Sequence, residues 1–253
     1  MTRFALLVEY DGAGFVGWQR QADGLSVQAV LEDAAAHLAD GPVVVVVAGR
    51  TDAGVHALGQ VAHLDLARDI APEKLAQALN FHMKPHRVCV LQAATVAEDW
   101  NARFSAIQRV YRYAILDRRS RPALAAGRVW HVPHMLNVAA MAAGARHLLG
   151  RHDFSSFRAA SCQANSPLRT LDRLDVDRDG DCVLIRAEAR SFLHHQVRNM
   201  VGSLKLVGEG YWPPERMQAA LAAAHRSAAG PTAPPEGLFL VEVRYTPPVF
   251  GAA

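Results

Sequence analysis

The chain has 253 residues, of which 51% are apolar and 20% charged, with 27 Lys plus Arg against 24 Asp plus Glu; this excludes a disordered chain and allows one large or two small domains. No purely apolar run is longer than Val43 to Ala48, far short of the roughly 20 residues that a membrane helix needs, and Phe4 to Val8 is too short for a signal-peptide core. Cys89, Cys162 and Cys182 are widely separated with no CxxC pair, which fits neither a disulfide framework nor a zinc ribbon and points to a cytoplasmic protein.

Phe4 to Glu9 reads as a first strand ending at Asp11-Gly12. Ser26 can cap a helix over Val27, Val30, Leu31, Ala34 and Leu38, closed by Asp40-Gly41. Val43 to Ala48 is β-branched and apolar, and is expected as a strand buried on both faces. It delivers Gly49-Arg50-Thr51-Asp52-Ala53-Gly54 into a turn, followed by an alternating strand around Val61 to Leu66, a helix from Pro72 to Leu79, and strands at Arg87 to Val96 and Gln108 to Leu116. The second half repeats this grammar. It reads as a helix over Met135 to Leu149, a hairpin of Thr170 to Val176 and Cys182 to Glu188 about Asp179-Gly180, helices over Leu193 to Val207 and Pro213 to Arg226, and a strand over Leu238 to Tyr245. Short turns between neighbouring strands demand antiparallel pairs, so the expected class is α+β with two α/β halves, 1-105 and 106-253.

Charge is distributed unevenly. Between Asn101 and Trp130 lie seven arginines (103, 109, 112, 118, 119, 121 and 128) against one acid, Asp117, interleaved with Phe104, Tyr111, Tyr113 and Trp130. Such a run can be a solvated face. Guanidinium groups beside stacking rings are also what an RNA surface needs. Gly12-Ala13-Gly14-Phe15-Val16-Gly17 satisfies the dinucleotide pattern GxGxxG, but in that fold the helix starts within the glycine turn. Here the first helical stripe starts only at Ser26, and the segment reads as a mobile glycine loop.

Three segments could carry chemistry. In GRTDAGVH (Gly49 to His56) the turn presents Asp52 at a strand end, and on an extended backbone Arg50 shares its face; the alternative is an Asp that merely bonds its own turn. Along Arg109 to Tyr113 an extended chain puts Arg109, Tyr111 and Tyr113 on one face and Val110 and Arg112 on the other. From Ser191 to Gly210 an apolar helical stripe leaves His194, Arg198 and Lys205 elsewhere, where Arg198 either meets solvent or pairs with a carboxylate. Adjacent His194 and His195 cannot face one metal from a regular helix, so no metal site is expected. A carboxylate, tyrosines and arginines can cleave or rearrange a glycosidic bond, and cannot perform redox chemistry without a cofactor.

The sequence resembles the tRNA pseudouridine synthase A family along nearly its whole length. The resemblance is carried in order by Tyr10-Asp11-Gly12 through Gly17-Trp18-Gln19-Arg20-Gln21, GRTDAGVHALGQVAH from Gly49, Ala102-Arg103-Phe104-Ser105-Ala106, Tyr111-Arg112-Tyr113, HDFSSFR from His152, FLHHQVRNMVGSL from Phe192, and Glu236-Gly237-Leu238-Phe239-Leu240. Asn101 stands where the family pattern has His, and Val110 where a second basic residue is common. The resemblance implies two similar α/β halves with joined, mostly antiparallel sheets flanked by helices, an active site in a basic cleft between them, and a homodimer. It implies isomerisation of uridine to pseudouridine at positions 38, 39 and 40 of the tRNA anticodon stem-loop, with neither cofactor nor metal. Asp52 would be the catalytic carboxylate, Tyr111 the residue against the target base, and Arg198 the partner of Asp52. Arg50 would help extrude the base, Arg103, Arg109 and Arg112 would contact RNA, and Leu240 would lie in the apolar pocket floor. The competing readings are a non-catalytic tRNA-binding protein, resting on the arginine run alone, and an NADP-dependent dehydrogenase, resting on Gly12, Gly14 and Gly17.

Overall fold

The computed structural model describes residues 1–39 and 41–251. Its α+β architecture follows the expected class. The chain forms two compact units: one of Met1–Arg109 together with the segment from Phe239 on, the other of Val110–Leu238.

The first unit is built on strand β1 (Thr2–Tyr10). Strand β3 (His56–Leu66) pairs antiparallel along one side of it, and β4 (Val88–Val96) along the other. The far edge of β3 takes two further strands. These are the two-residue β2 (Val46–Val47), opposite His63 and Ala62, and β10 (Leu238–Arg244), running parallel with Phe239 opposite His56 and Leu240 opposite Ala57. Gly59 permits that approach, because a Cβ there would stand 2.4 Å from the Val241 carbonyl oxygen. Helix α1 (Val27–Ala36) starts where expected: the Ser26 hydroxyl accepts from Ala29 N–H at 3.1 Å, a cap worth about 1 kcal/mol. It buries Val27, Val30, Leu31 and Ala34. Helix α2 (Pro72–His82) opens on a proline, whose missing N–H costs nothing in a first turn. Leu75 and Leu79 are its fully buried anchors.

In the second unit β8 (Leu168–Asp179) and β9 (Cys182–Ala189) form the expected hairpin, and its turn includes Gly180 at φ 56°. Strand β5 (Gln108–Leu116) lies beside β9, and β7 (Gly150–Asp153) beside β8. The short β6 (Trp130–His131) runs parallel to β5. Three helices accompany this sheet: α3 (Val138–Arg146), α4 (Gln196–Gly208) and α5 (Arg216–Ala222). Helices α3 and α4 meet closely at Gly208, where a Cβ would lie 2.6 Å from Met141 Sδ.

Several expectations are corrected. The segment Val43 to Ala48 is no doubly buried strand. Val44 is 70% exposed, and α1 side chains take the backbone groups of Val45: its N–H donates to Glu32 Oε1 at 3.2 Å and its carbonyl accepts from Gln28 Nε2 at 3.3 Å. Only Val46 and Val47 remain for the ladder. The helix predicted from Leu193 starts at Gln196, because His195 sits in the left-handed region at φ 62°. His194 and His195 therefore precede the helix instead of lying on it. The helix predicted over Met135 to Leu149 is trimmed to α3 by the Asn137 side chain, which caps Ala140 N–H at 3.0 Å. That from Pro213 to Arg226 shortens to α5, with Ala224 at φ 47° just past its end. Asp40 of the predicted Asp40-Gly41 stop lies outside the described residues. A division into 1-105 and 106-253 leaves out the return of the chain at Phe239, which parallel pairing with β3 brings into the first unit. Among the described residues no helix is long and apolar enough to cross a membrane.

Candidate active site

Asp52 stands half-buried in the link between β2 and β3, in a turn closed by Val55 N–H donating to the Asp52 carbonyl at 3.1 Å. Gly54 adopts φ 77° within it, a region that glycine enters without steric cost. Thr51 is buried, while Arg50 is exposed and Asp52 half-buried on either side of it. Thr51 is fixed by its hydroxyl, 2.7 Å from the Tyr10 hydroxyl. Gln60 on β3 donates to Tyr10 Oη at 3.3 Å and to the Gly49 carbonyl at 2.8 Å. Burial pushes the Tyr10 phenol up to about 12, so it stays a neutral strut at ordinary pH.

The loop carrying GxGxxG braces this turn, and the reading of it as a mobile loop is corrected. Trp18 N–H donates to the Thr51 carbonyl at 3.1 Å, Gly54 N–H to the Phe15 carbonyl at 3.4 Å, and Gly12 N–H to His56 Nδ1 at 3.0 Å. A Cβ on Gly12 would sit 2.2 Å from the Val55 carbonyl oxygen, and one on Gly17, at φ 109°, 2.7 Å from that of Thr51. The glycines are there because two backbones touch. Helix α1 starts well past them at Val27.

The arginines divide into different roles. Arg109 is only 7% exposed. Its guanidinium donates to the carbonyls of Ala48 at 2.6 Å, Arg103 at 2.7 Å and Ala106 at 3.2 Å. Its expected place on an RNA surface is corrected, because those bonds tie the segment before the Asp52 turn to the loop at 101–106. Arg103 in that loop is exposed, with its guanidinium 5.6 Å from the ring centroid of Phe104, itself 74% exposed. Asn101 shapes the loop by accepting from the N–H groups of Arg103 and Phe104 at 2.9 and 3.2 Å. Leu240 is fully buried beside Ala57 in the parallel pairing that also stacks Phe239 on His56, with centroids 4.7 Å apart.

In the second unit Tyr111 on β5 is 8% exposed and meets Phe192 edge-to-face at 5.3 Å. Arg112, on the other face of β5, is half-buried. Arg198 on α4 is locked to the proline-rich loop in both directions: its Nε donates to the Ala233 carbonyl at 2.8 Å, and Ala233 N–H donates to the Arg198 carbonyl at 3.1 Å. The same loop is pinned elsewhere to α4. Gly230 N–H donates to Ser203 Oγ and the Thr232 hydroxyl to Asn199 Oδ1, at 2.8 and 2.7 Å. A Cβ on Gly202 would stand only 1.8 Å from the Pro231 carbonyl oxygen. The loop 230–235 is therefore a fitted brace on α4.

The first unit thus carries Arg50, Asp52, Arg103 and Leu240, and the second carries Tyr111, Arg112 and Arg198. Sequence reading missed Tyr10, Gln60, Asn199 and the Gly12–Gly17 brace as supports. Their signal was present in the ordered motifs, but only the fold shows what each one touches. Chemically, the first unit offers a carboxylate on a rigid turn beside an exposed guanidinium, and the second an aromatic ring held edge-on by another.

Comparison with known proteins gives the family. A family model described as tRNA pseudouridine synthase matches residues 6–105 and 144–246. Among similar proteins, tRNA pseudouridine synthase A of Acidiphilium cryptum is 66% identical over 247 residues, 97% of each chain. The proteins of the same name from Paramagnetospirillum magneticum and Rhodospirillum centenum are each 58% identical, covering 97% of this chain and 96% and 100% of their own.

Proposed function

Because the chain belongs to the tRNA pseudouridine synthase family, isomerases that convert uridine in tRNA to pseudouridine, we propose that its targets are uridines 38, 39 and 40 of the anticodon stem-loop, with Asp52 as the catalytic carboxylate. The observation that carries this reading is the 97% coverage at 66% identity by a relative named tRNA pseudouridine synthase A. The rigid presentation of Asp52 supports it, since a catalytic group must be held in register with its target.

A stacked uridine hides C1′ and C5, so it is extruded at a cost of a few kcal/mol. Arg50 fills the vacated space and Tyr111 stacks on the flipped base. Arg198 pairs with Asp52 and keeps it ionised. Asp52 then promotes cleavage of the C1′–N1 bond, either by attacking C1′ or by taking a 2′ proton to give a glycal. The freed uracil turns in place, C5 bonds to C1′, and the C5 proton leaves to a base, for which Tyr111 is the candidate, while N1 gains a proton. Atoms balance with neither co-substrate nor cofactor. Arg103 with Phe104, and Arg112, hold the surrounding RNA, and Leu240 lies in the apolar floor of the pocket. The enzyme works as a homodimer in the cytoplasm, and size-exclusion chromatography with light scattering tests its assembly.

Tritium release from tRNA labelled at uridine C5 tests the reading. Wild type releases label from transcripts whose anticodon-arm uridines are confined to positions 38, 39 or 40. Asp52→Ala loses at least about a hundredfold, the scale of a missing acid–base or nucleophilic group, while tRNA binding persists. Release from a transcript with cytidine at all three positions would refute the positional assignment, and undiminished release by the variant would refute the role of Asp52.

A further inference from the structure

At the β7–β8 edge of the second unit lies a cleft of about 350 Å³ lined by Arg151, Arg169, Arg190, Ser166, Thr170 and Ser191. Leu168 completes the lining. Arg151 and Thr170 are directly opposed across the ladder and share a face. Arg169 donates through one terminal nitrogen to the carbonyls of Ser166 and Leu168 at 3.0 and 2.6 Å. Its Nε is buried and has no hydrogen-bond partner among the described residues. A buried donor on a cation is costly unless something accepts from it. Burial accordingly pulls the Arg169 guanidinium below its ordinary pKa.

We propose that this cleft is a phosphate clamp that grips the RNA backbone of the substrate next to the reacting nucleotide. Guanidinium forks match the two unesterified oxygens of a phosphodiester, and three hydroxyls can add donors. The substrate backbone is favoured over a free anion by chain position. Ser191 directly precedes Phe192, whose ring meets Tyr111 at 5.3 Å, so the chain that lines the cleft runs straight into the residue packed on the one assigned to the flipped base. The proposal rests on that assignment and extends it to a subsite.

The test is equilibrium binding of a tRNA transcript by the full chain, with salt varied from about 50 to 200 mM. Arg151→Gln, Arg169→Gln and Arg190→Gln are each compared with Arg146→Gln, an exposed arginine in the last turn of α3. Each clamp variant should weaken binding about tenfold at low salt and lower the salt slope by about one, the mark of a lost phosphate contact. Its kcat/KM should fall in step with affinity, while Arg146→Gln matches wild type. Arg151 is exposed, so its variant keeps the test intact if Arg169→Gln does not fold. Wild-type slopes in the Arg151 and Arg190 variants would overturn the clamp. So would unchanged tRNA binding with lost binding of inorganic phosphate, which would assign the cleft to a free anion. A wild type that binds tRNA with a normal slope yet forms no pseudouridine would instead overturn the functional reading.

Discussion

Asp117 was the single acid in the arginine run, and its surroundings show how one residue can be structural amid presumed binding groups. Its side chain is fully buried, and Arg178 donates to both its oxygens at 2.7 and 2.5 Å while Leu136 N–H donates at 2.9 Å. Burial alone would raise its pKa, but the Arg178 guanidinium and the Leu136 N–H outweigh burial and hold the carboxyl below its ordinary value. The depressed pKa fixes the sign: the stabilisation is present above the unfolded value, about 3.9, and disappears as pH falls through the lower folded value. Asp117→Asn should therefore lose part of the acid-side fall in stability expected of wild type below about pH 4. At neutral pH it should cost toward the lower end of about 3–5 kcal/mol, since Arg178 is 30% exposed and water relieves it. Urea unfolding at pH 7 and pH 3 measures both, and identical pH profiles would reject the assignment. At this scale the sequence was legible for position: Asp52 lies in a glycine-containing turn ahead of a strand and Tyr111 lies on a strand, as their local patterns indicate. It was misleading for Arg109, because nothing in a lone arginine distinguishes a side chain that binds RNA from one that binds three carbonyls.

Among the elements, the helix carrying Arg198 shows how a loop can set the aim of a long side chain. Residues 230–235 offered proline and glycine in abundance, a composition that suits a lid or a linker. In the fold, the Thr232 hydroxyl, Ala233 and the Gly230 N–H all bond to α4 or its side chains, and Arg226 reaches Asn199 Oδ1 at 3.2 Å and Thr232 at 3.1 Å. Asn199 is the hub, since it also donates to the Phe157 carbonyl at 2.8 Å. Asn199→Ala should cost about 1–3 kcal/mol, the range for stranding buried partners, and should speed amide exchange at Thr232 and Ala233. Slow exchange there in a variant of lowered stability would mean that the hub does not hold the loop. Strands with alternating or continuous apolar character were readable, and so was the hairpin turn. The six-residue run Val43 to Ala48 failed because its β propensity says nothing of competitors, and here Gln28 and Glu32 claim the backbone of Val45.

The molecule as a whole is a non-sequential arrangement, and this is the feature that local patterns could least reveal. Periodicity finds a strand at Leu238 to Tyr245 but not which strand it pairs with, because any edge with free N–H and C=O groups will serve. Once paired, Phe239, Leu240, Val243 and Tyr245 are buried, and the Tyr245 hydroxyl donates to the Ala102 carbonyl at 2.7 Å. A chain stopped after Leu238 should keep protection in β8 and β9 but lose cooperative unfolding in Met1–Arg109. Hydrogen exchange read by mass spectrometry reports the two regions separately, and native-like protection of β3 in that truncated chain would refute the dependence.

The return of β10 also reverses an order in time. Translation makes the unit holding Asp52 first, but that unit is finished only when Phe239 to Arg244 has left the ribosome. Val110–Leu238, continuous in the chain, has by then been available to fold. A nascent or prematurely terminated product thus lacks the strand that completes the sheet behind its carboxylate. A product without β10 is therefore expected to leave the unit that carries Asp52 unfinished, however well Val110–Leu238 has folded.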